Sequence, residues 1–162
     1  MTPAARASAA IEVLADIAMR KRPAADALKD WGLAHRFAGS GDRAAIGNLV
    51  FDALRRRASS AYAMGDDSPR ALVLRILVSS WGMAPEAVEA LADGSRFAPA
   101  PLTPPELEGL KRELPADAPA FIRGDYPEWL DPQFQQAFGA QAAEEGAALA
   151  NRAPVDLRVN AL

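Results

Sequence analysis

Between Ser40 and Met64 the residues Ile46, Leu49, Val50, Ala53 and Leu54 recur at the three-and-four spacing of an α-helix. The spacing predicts one long amphipathic helix with those five residues as its buried face. Asp42 falls in the first turn, where a negative charge complements the helix dipole. The run Arg55-Arg56-Arg57 follows. At about 100° per residue, Arg55 points opposite Ile46 and is expected in solvent, and Arg56 lies on the flank beside Asp52. Arg57 returns to the apolar side, where an arginine must snorkel, find a partner or mark a bend. Such a stretch is either a solvated helix face or a polyanion site.

The flanking pattern predicts more helices. Thr2-Pro3 sets a cap before a proline at the first helical position, and Ile11, Leu14, Ala15, Ile17 and Ala18 carry a stripe to Met19. Arg20-Lys21-Arg22 suits a C-terminal turn, and Pro23 to Trp31 forms a second helix closed by Gly32. His35, in the segment that follows, reads as a surface or capping residue. Beyond Ser68-Pro69, Leu72, Val73, Leu74, Ile76, Leu77, Val78 and Trp81 surround one helix on nearly every side, which places it at the centre of a bundle. Pro85 to Leu91 adds a short helix. Five helices in the first 94 residues, joined by short turns, predict a compact all-α domain.

The pattern then changes. Residues 95–125 hold a proline-rich crossing from Ala98 to Pro105, a charged helix over Glu106–Glu113 and a second proline-bearing loop, Pro115 to Pro119. A short helix over Tyr126–Leu130 continues through Gln133 to Phe138, and Ala140 to Ala150 supplies another. Val155 to Leu162 alternates with a period of two, the one good strand signal in the chain. A lone strand leaves its backbone groups unpaired, so the chain is expected to be a fragment that continues past Leu162. The expected units are a helical domain over 1–125 and a truncated second unit over 126–162.

Composition sharpens this picture. Half of the 162 residues are apolar, only 7% are aromatic, and alanine is abundant, which favours packed helices over sheet. The absence of cysteine excludes disulfides, thiolate metal sites and thiol nucleophiles, and fits a reducing cytoplasm. A single histidine argues against histidine metal sites, and no apolar run approaches the roughly 18 residues of a membrane span. The net charge of −3 hides a segregation: residues 1–75 carry twelve Lys/Arg against eight Asp/Glu, and residues 76–162 six against thirteen. A basic front half allows a local polyanion-binding surface, although chance segregation gives the same count. The pairs Asp66-Asp67 and Glu144-Glu145 read as solvated carboxylates, and Trp31, Trp81 and Trp129 as core residues.

Two stretches carry a family resemblance. The helix from Asp42-Arg43 to Arg57 is similar to the helix ending in Leu-Arg of a NusB-like RNA-binding domain. Tyr126-Pro127-Glu128-Trp129-Leu130, Phe138-Gly139 and Ala153-Pro154-Val155-Asp156-Leu157-Arg158-Val159-Asn160 resemble the junction that leads into the body of the Fmu/Sun-type ribosomal RNA cytosine-C5 methyltransferases. The resemblance implies an all-α NusB-like bundle, then a short helical segment and the first strand of an α/β methyltransferase part. Trp129, Arg158 and Asn160 would mark the junction.

The family attacks cytosine C6 with a cysteine thiolate and takes its methyl group from S-adenosylmethionine. This chain has no cysteine, and Gly39 and Gly41 have no strand before them, so both requirements are expected beyond Leu162 and the chain itself is expected to be inert. Its implied role is to hold ribosomal RNA for a downstream catalytic domain in the cytoplasm, without metal or membrane. Arg55, Arg56 and Arg43 would supply phosphate contacts, with Arg20, Lys21, Arg22 and Arg36 as an outer set. Two other readings stay open. One is a helical protein-interaction module built on the acidic rear half, and the other is a stand-alone NusB-like antitermination or ribosome-related RNA-binding protein.

Overall fold

The computed structural model describes residues 1–153, 155, 157 and 158. Every regular element among them is helical. The order is α1 (Pro3–Arg20), α2 (Ala24–Ala34), α3 (Ser40–Arg55), α4 (Arg57–Met64), α5 (Pro69–Ser79), α6 (Pro85–Leu91), α7 (Pro104–Lys111), α8 (Ala120–Arg123), α9 (Asp131–Phe138) and α10 (Ala142–Leu149). Single 3-10 turns at Glu128–Leu130 and Gly139–Gln141 precede α9 and α10, where the sequence pattern predicts helix. The strand expected over Val155–Leu162 falls largely outside the described residues, and Val155, Leu157 and Arg158 lie in exposed coil.

Local signals set the helix starts. Thr2, Ser68 and Thr103 each accept a bond from a first-turn amide of α1, α5 and α7, and Glu106 completes a capping box with Thr103. Proline occupies the first turn in all three.

The core forms around α5, which packs against α1, α3 and α4. Leu72, Val73, Leu74, Ile76 and Leu77 of α5 meet Ile46, Leu49, Val50 and Ala53 of α3. Each large side chain buried this way contributes about 1.5–3 kcal/mol. Val13 and Leu14 face the same core from α1, beside Ala7 and Ala10. The inner face of α1 is therefore mostly alanine, which lets its neighbours approach closely. The expected stripe through Ile11, Ile17 and Met19 is displaced: the first two are only partly buried, and Met19 is 81% exposed.

The predicted long helix is two helices. It breaks at Arg56, which has φ −115° and ψ 34°, and the break rotates everything after it out of phase. Arg57 consequently turns to the surface instead of inward, and Leu54, expected in the core but placed before the break, is also exposed. A partner from far along the chain meets the start of α4. No side chain of its own caps α4, but the Asp125 carboxylate accepts from the Ser59 backbone N–H in its first turn at 2.8 Å. A remote carboxylate thus caps the first turn of α4.

Residues after Gly124 close around Tyr126. Its buried ring stacks on Phe134, with centroids 4.0 Å apart, and its hydroxyl donates to Asp131 at 2.7 Å. Burial and that carboxylate push the phenol up to about 12. Helix α8 packs on both α10 and α4, so the C-terminal helices hold to the bundle across the expected division at residue 125.

Candidate nucleic-acid interface

A polar cleft of about 300 Å³ opens where the C-terminal ends of α3 and α5 meet the residues after α10. Arg55, Arg56 and Arg152 line it, facing one lining carboxylate, Asp52. Each guanidinium is held from behind. Arg55 donates to Asp52 one turn back on α3, Arg56 donates to Asn151 Oδ1 at 2.7 Å, and Arg152 donates to Asn48 Oδ1. Trp81 completes the wall, donating from Nε1 to Asp52 Oδ2 at 3.1 Å. Its place at the C-terminal end of α3 suits cations, because the helix dipole is negative there.

The geometry reverses the expected partnership of Asp52. Arg55 takes that carboxylate because it still lies within α3 at i+3, whereas Arg56 sits at the break and swings to the C-terminal unit. Arg55 is therefore half-buried and paired rather than free in solvent. Arg57 pairs with Asp67 at 2.7 Å on the surface, outside the cleft, with 60% of its side chain exposed.

The remaining predicted cations are scattered and largely engaged. Arg43 Nε donates to the Ala38 carbonyl at 2.9 Å, tying the start of α3 to the preceding loop. Arg20 pairs with Asp16 at 2.9 Å, and Arg22 reaches Asp16 at 3.4 Å as well as Asp30. The bond to Asp30 holds the Arg22 guanidinium above its ordinary value and the Asp30 carboxyl below its own. Lys21 ends α1 in a left-handed conformation, with φ 50°. Among the described residues neither Lys21 nor Arg36 makes an ion pair. Of the seven predicted RNA contacts, the cleft gathers Arg55 and Arg56.

At the predicted junction, Trp129 is 72% exposed on a 3-10 turn, Arg158 is exposed, and Asn160 lies outside the described residues. Trp31 is buried as expected, but Trp81 is 40% exposed, so two of the three tryptophans are not core residues. His35 ends α2, with its Nδ1 2.9 Å from the Trp31 carbonyl oxygen and its ring stacked on that indole.

Sequence reasoning missed Arg152, Asn151, Asn48 and Trp81. The signals were present but local: Asn151-Arg152 directly follows an alanine-rich helix, and Trp81 stands at the polar end of α5. Gly39 caps α3 and Gly41 lies in its first turn, and among the described residues no strand precedes either glycine. Among the same residues no cluster of three metal-ligating side chains occurs, and no helix is long and apolar enough to cross a membrane. No family model, curated protein or solved structure matches this chain.

Proposed function

We propose that the chain is a NusB-like RNA-holding domain, joined in its parent protein to a cytosine-C5 methyltransferase of the Fmu/Sun type that acts on ribosomal RNA. The observation that carries the RNA-holding role is the convergence of Arg55, Arg56 and Arg152 around one carboxylate, in a cleft that joins α3 and the end of α5 to the residues after α10. Guanidiniums fixed from behind by Asn48, Asn151 and Asp52 keep their outer N–H groups for phosphate oxygens and lose little freedom on binding. The chain would position RNA, and a segment supplying cysteines and S-adenosylmethionine would do the chemistry. Arg43, Arg20 and Arg22 move out of the phosphate set, because they do not line the cleft and are held elsewhere. Lys21 and Arg36 remain an outer set.

The test is binding of a ribosomal RNA hairpin at several salt concentrations. The expected result is an affinity that falls linearly on a log–log plot, with a slope reduced by about one in Arg152→Ala. An isotherm insensitive to salt overturns the proposal.

A second reading rests on a different observation. Trp129 and Leu149 are both more than two-thirds exposed on the C-terminal helices, which suits docking onto a protein surface. Salt-insensitive binding to a protein partner, lost in Trp129→Ala, would support that reading instead.

A further inference from the structure

Trp81 is only partly covered by the fold. An indole 40% exposed at the end of a buried helix leaves apolar surface in water that a smaller polar residue would not. Its position is nevertheless fixed. Its backbone N–H donates to the Ile76 carbonyl at 3.1 Å, and Gly82 turns the chain away at φ 69° directly after it. Its ring nitrogen is held by Asp52, which Arg55 holds in turn. Among the described residues no aromatic ring stacks on this indole and no guanidinium lies over it, in contrast to Trp31 under His35 and Phe97 under Arg96. The ring is rigid, uncapped and on the wall of the cleft that gathers three arginines.

From this juxtaposition we infer that Trp81 is a stacking platform for one unpaired nucleobase, so that the cleft takes a single-stranded or looped-out nucleotide. The inference rests on the RNA-binding reading of the cleft and sharpens it. A base inside a duplex has both faces covered by its neighbours and cannot present one to an indole. An unstacked base can, and aromatic stacking of this kind tolerates any sequence. The cleft's 300 Å³ lies at the lower end of small-ligand sites, a size for one nucleotide rather than a helix. Polar groups flank the proposed base on both sides. Asn48 and Asn151 each use Oδ1 to accept from an arginine, which leaves their amide nitrogens to donate to a base carbonyl. The arginines then take the adjoining phosphate.

The experiment compares a short single-stranded RNA with a blunt duplex of equal length. It uses the full 162-residue chain in a Trp129→Phe background, so that Trp81 is the solvent-accessible fluorophore of the three tryptophans. The single strand is expected to quench the indole and bind more tightly than the duplex. Trp81→Leu keeps apolar bulk without the π face, and should weaken single-strand binding about ten-fold while leaving the salt slope unchanged. Trp81→Phe should retain most of the affinity, and urea melts of both variants establish that they fold. If both variants bind the single strand like the parent while Arg152→Ala weakens it, the stacking inference fails and the phosphate cleft stands. If neither RNA binds the unmutated chain, both fail together.

Discussion

Asp125 receives both hydrogen bonds that Ser59 can donate, one from the backbone N–H and one from the hydroxyl, each at 2.8 Å. Ser59 lies in the first turn of α4, and Asp125 holds a left-handed conformation at φ 54° between α8 and Tyr126. One contact therefore caps a bundle helix and fastens the C-terminal unit to the bundle. Ser59→Ala removes the hydroxyl donor and leaves the amide bond, so a loss of about 1–2 kcal/mol is expected. Asp125→Ala removes both and uncaps α4, and should cost more, about 2–3 kcal/mol. Urea melts of the two variants check the order. Equal losses would mean that the hydroxyl bond alone carries the contact.

The same carboxylate gives a pH dependence of definite sign. Burial raises Asp125 above the usual range for an aspartate, against the opposing pull of the Ser59 hydrogen bonds and the Arg56 charge. The folded state then holds its proton more tightly than the unfolded chain. Its contribution to stability is fully present below the unfolded value, near pH 3.9 on the usual scale for aspartate, and is lost as pH rises through the folded value. Asp42 behaves oppositely. Hydrogen bonds from Arg6 and the Met1 ammonium lower it, so its contribution is present above the unfolded value and lost as pH falls through the folded one. The difference in stability between the parent and Asp125→Asn should therefore shift against the parent as pH rises above the unfolded value. Chemical melts across that window measure it, and a difference constant with pH would exclude a raised Asp125.

The three consecutive arginines separate by environment. Arg57 sits on the surface with Asp67, and exposed pairs contribute little, so Arg57→Ala should change stability by less than about 1 kcal/mol and leave RNA binding unchanged. Arg55→Ala frees Asp52, the partner of Trp81, and adds an unopposed negative charge to the cleft. It should weaken RNA binding more than Arg57→Ala and make the salt dependence shallower by about one charge. Paired melts and binding isotherms for the two variants decide this. Equal binding by both would move the RNA face away from the end of α3.

How much of this could be read from the chain depends on how far apart the interacting residues lie. Apart from the division of α3 from α4, the helices up to α7 were legible because their signals are local: Pro3, Pro69 and Pro85 at helix starts, and apolar residues at helical spacing in α3 and α5. The break at Arg56 was not legible, and the partner that caps the helix after it, Asp125, is 66 residues from Ser59. The phase of Arg57 failed with it. The cleft was half legible for the same reason. Arg55 and Arg56 announce themselves as a run, whereas Arg152 arrives 104 residues after Asn48, its partner in the fold. Periodicity says which face of a helix is apolar, but not whether another part of the chain will cover its end, and that was the error at Trp81 and Trp129.

The C-terminal unit supplies the final prediction, because its packing leaves no room at one position. A Cβ at Gly146 of α10 would lie 2.7 Å from the Gly124 carbonyl oxygen and would overlap the ring of Tyr126. Neither neighbour is free to give way. Gly124 N–H is bonded to Ala120 O at 2.7 Å within α8, and Tyr126 is clamped between its Phe134 stack and its bond to Asp131. Ala is normally the better helix former, by about 1 kcal/mol over glycine, so helix propensity alone would make Gly146→Ala stabilising. Overpacking against backbone and a fixed ring costs about 1–3 kcal/mol, so the clash should outweigh the gain in propensity. The shift of α10 would also displace Asn151 and Arg152, which follow it directly, and weaken RNA binding without removing a single cleft residue. Gly139→Ala makes the control for helix position: no heavy atom lies within 4 Å of its Cβ, although its φ of 53° strains the backbone. Melting both variants and titrating RNA into each tests the claim. A Gly146→Ala chain as stable as the parent, with unchanged affinity, would show that α10 moves freely and does not set the position of Arg152.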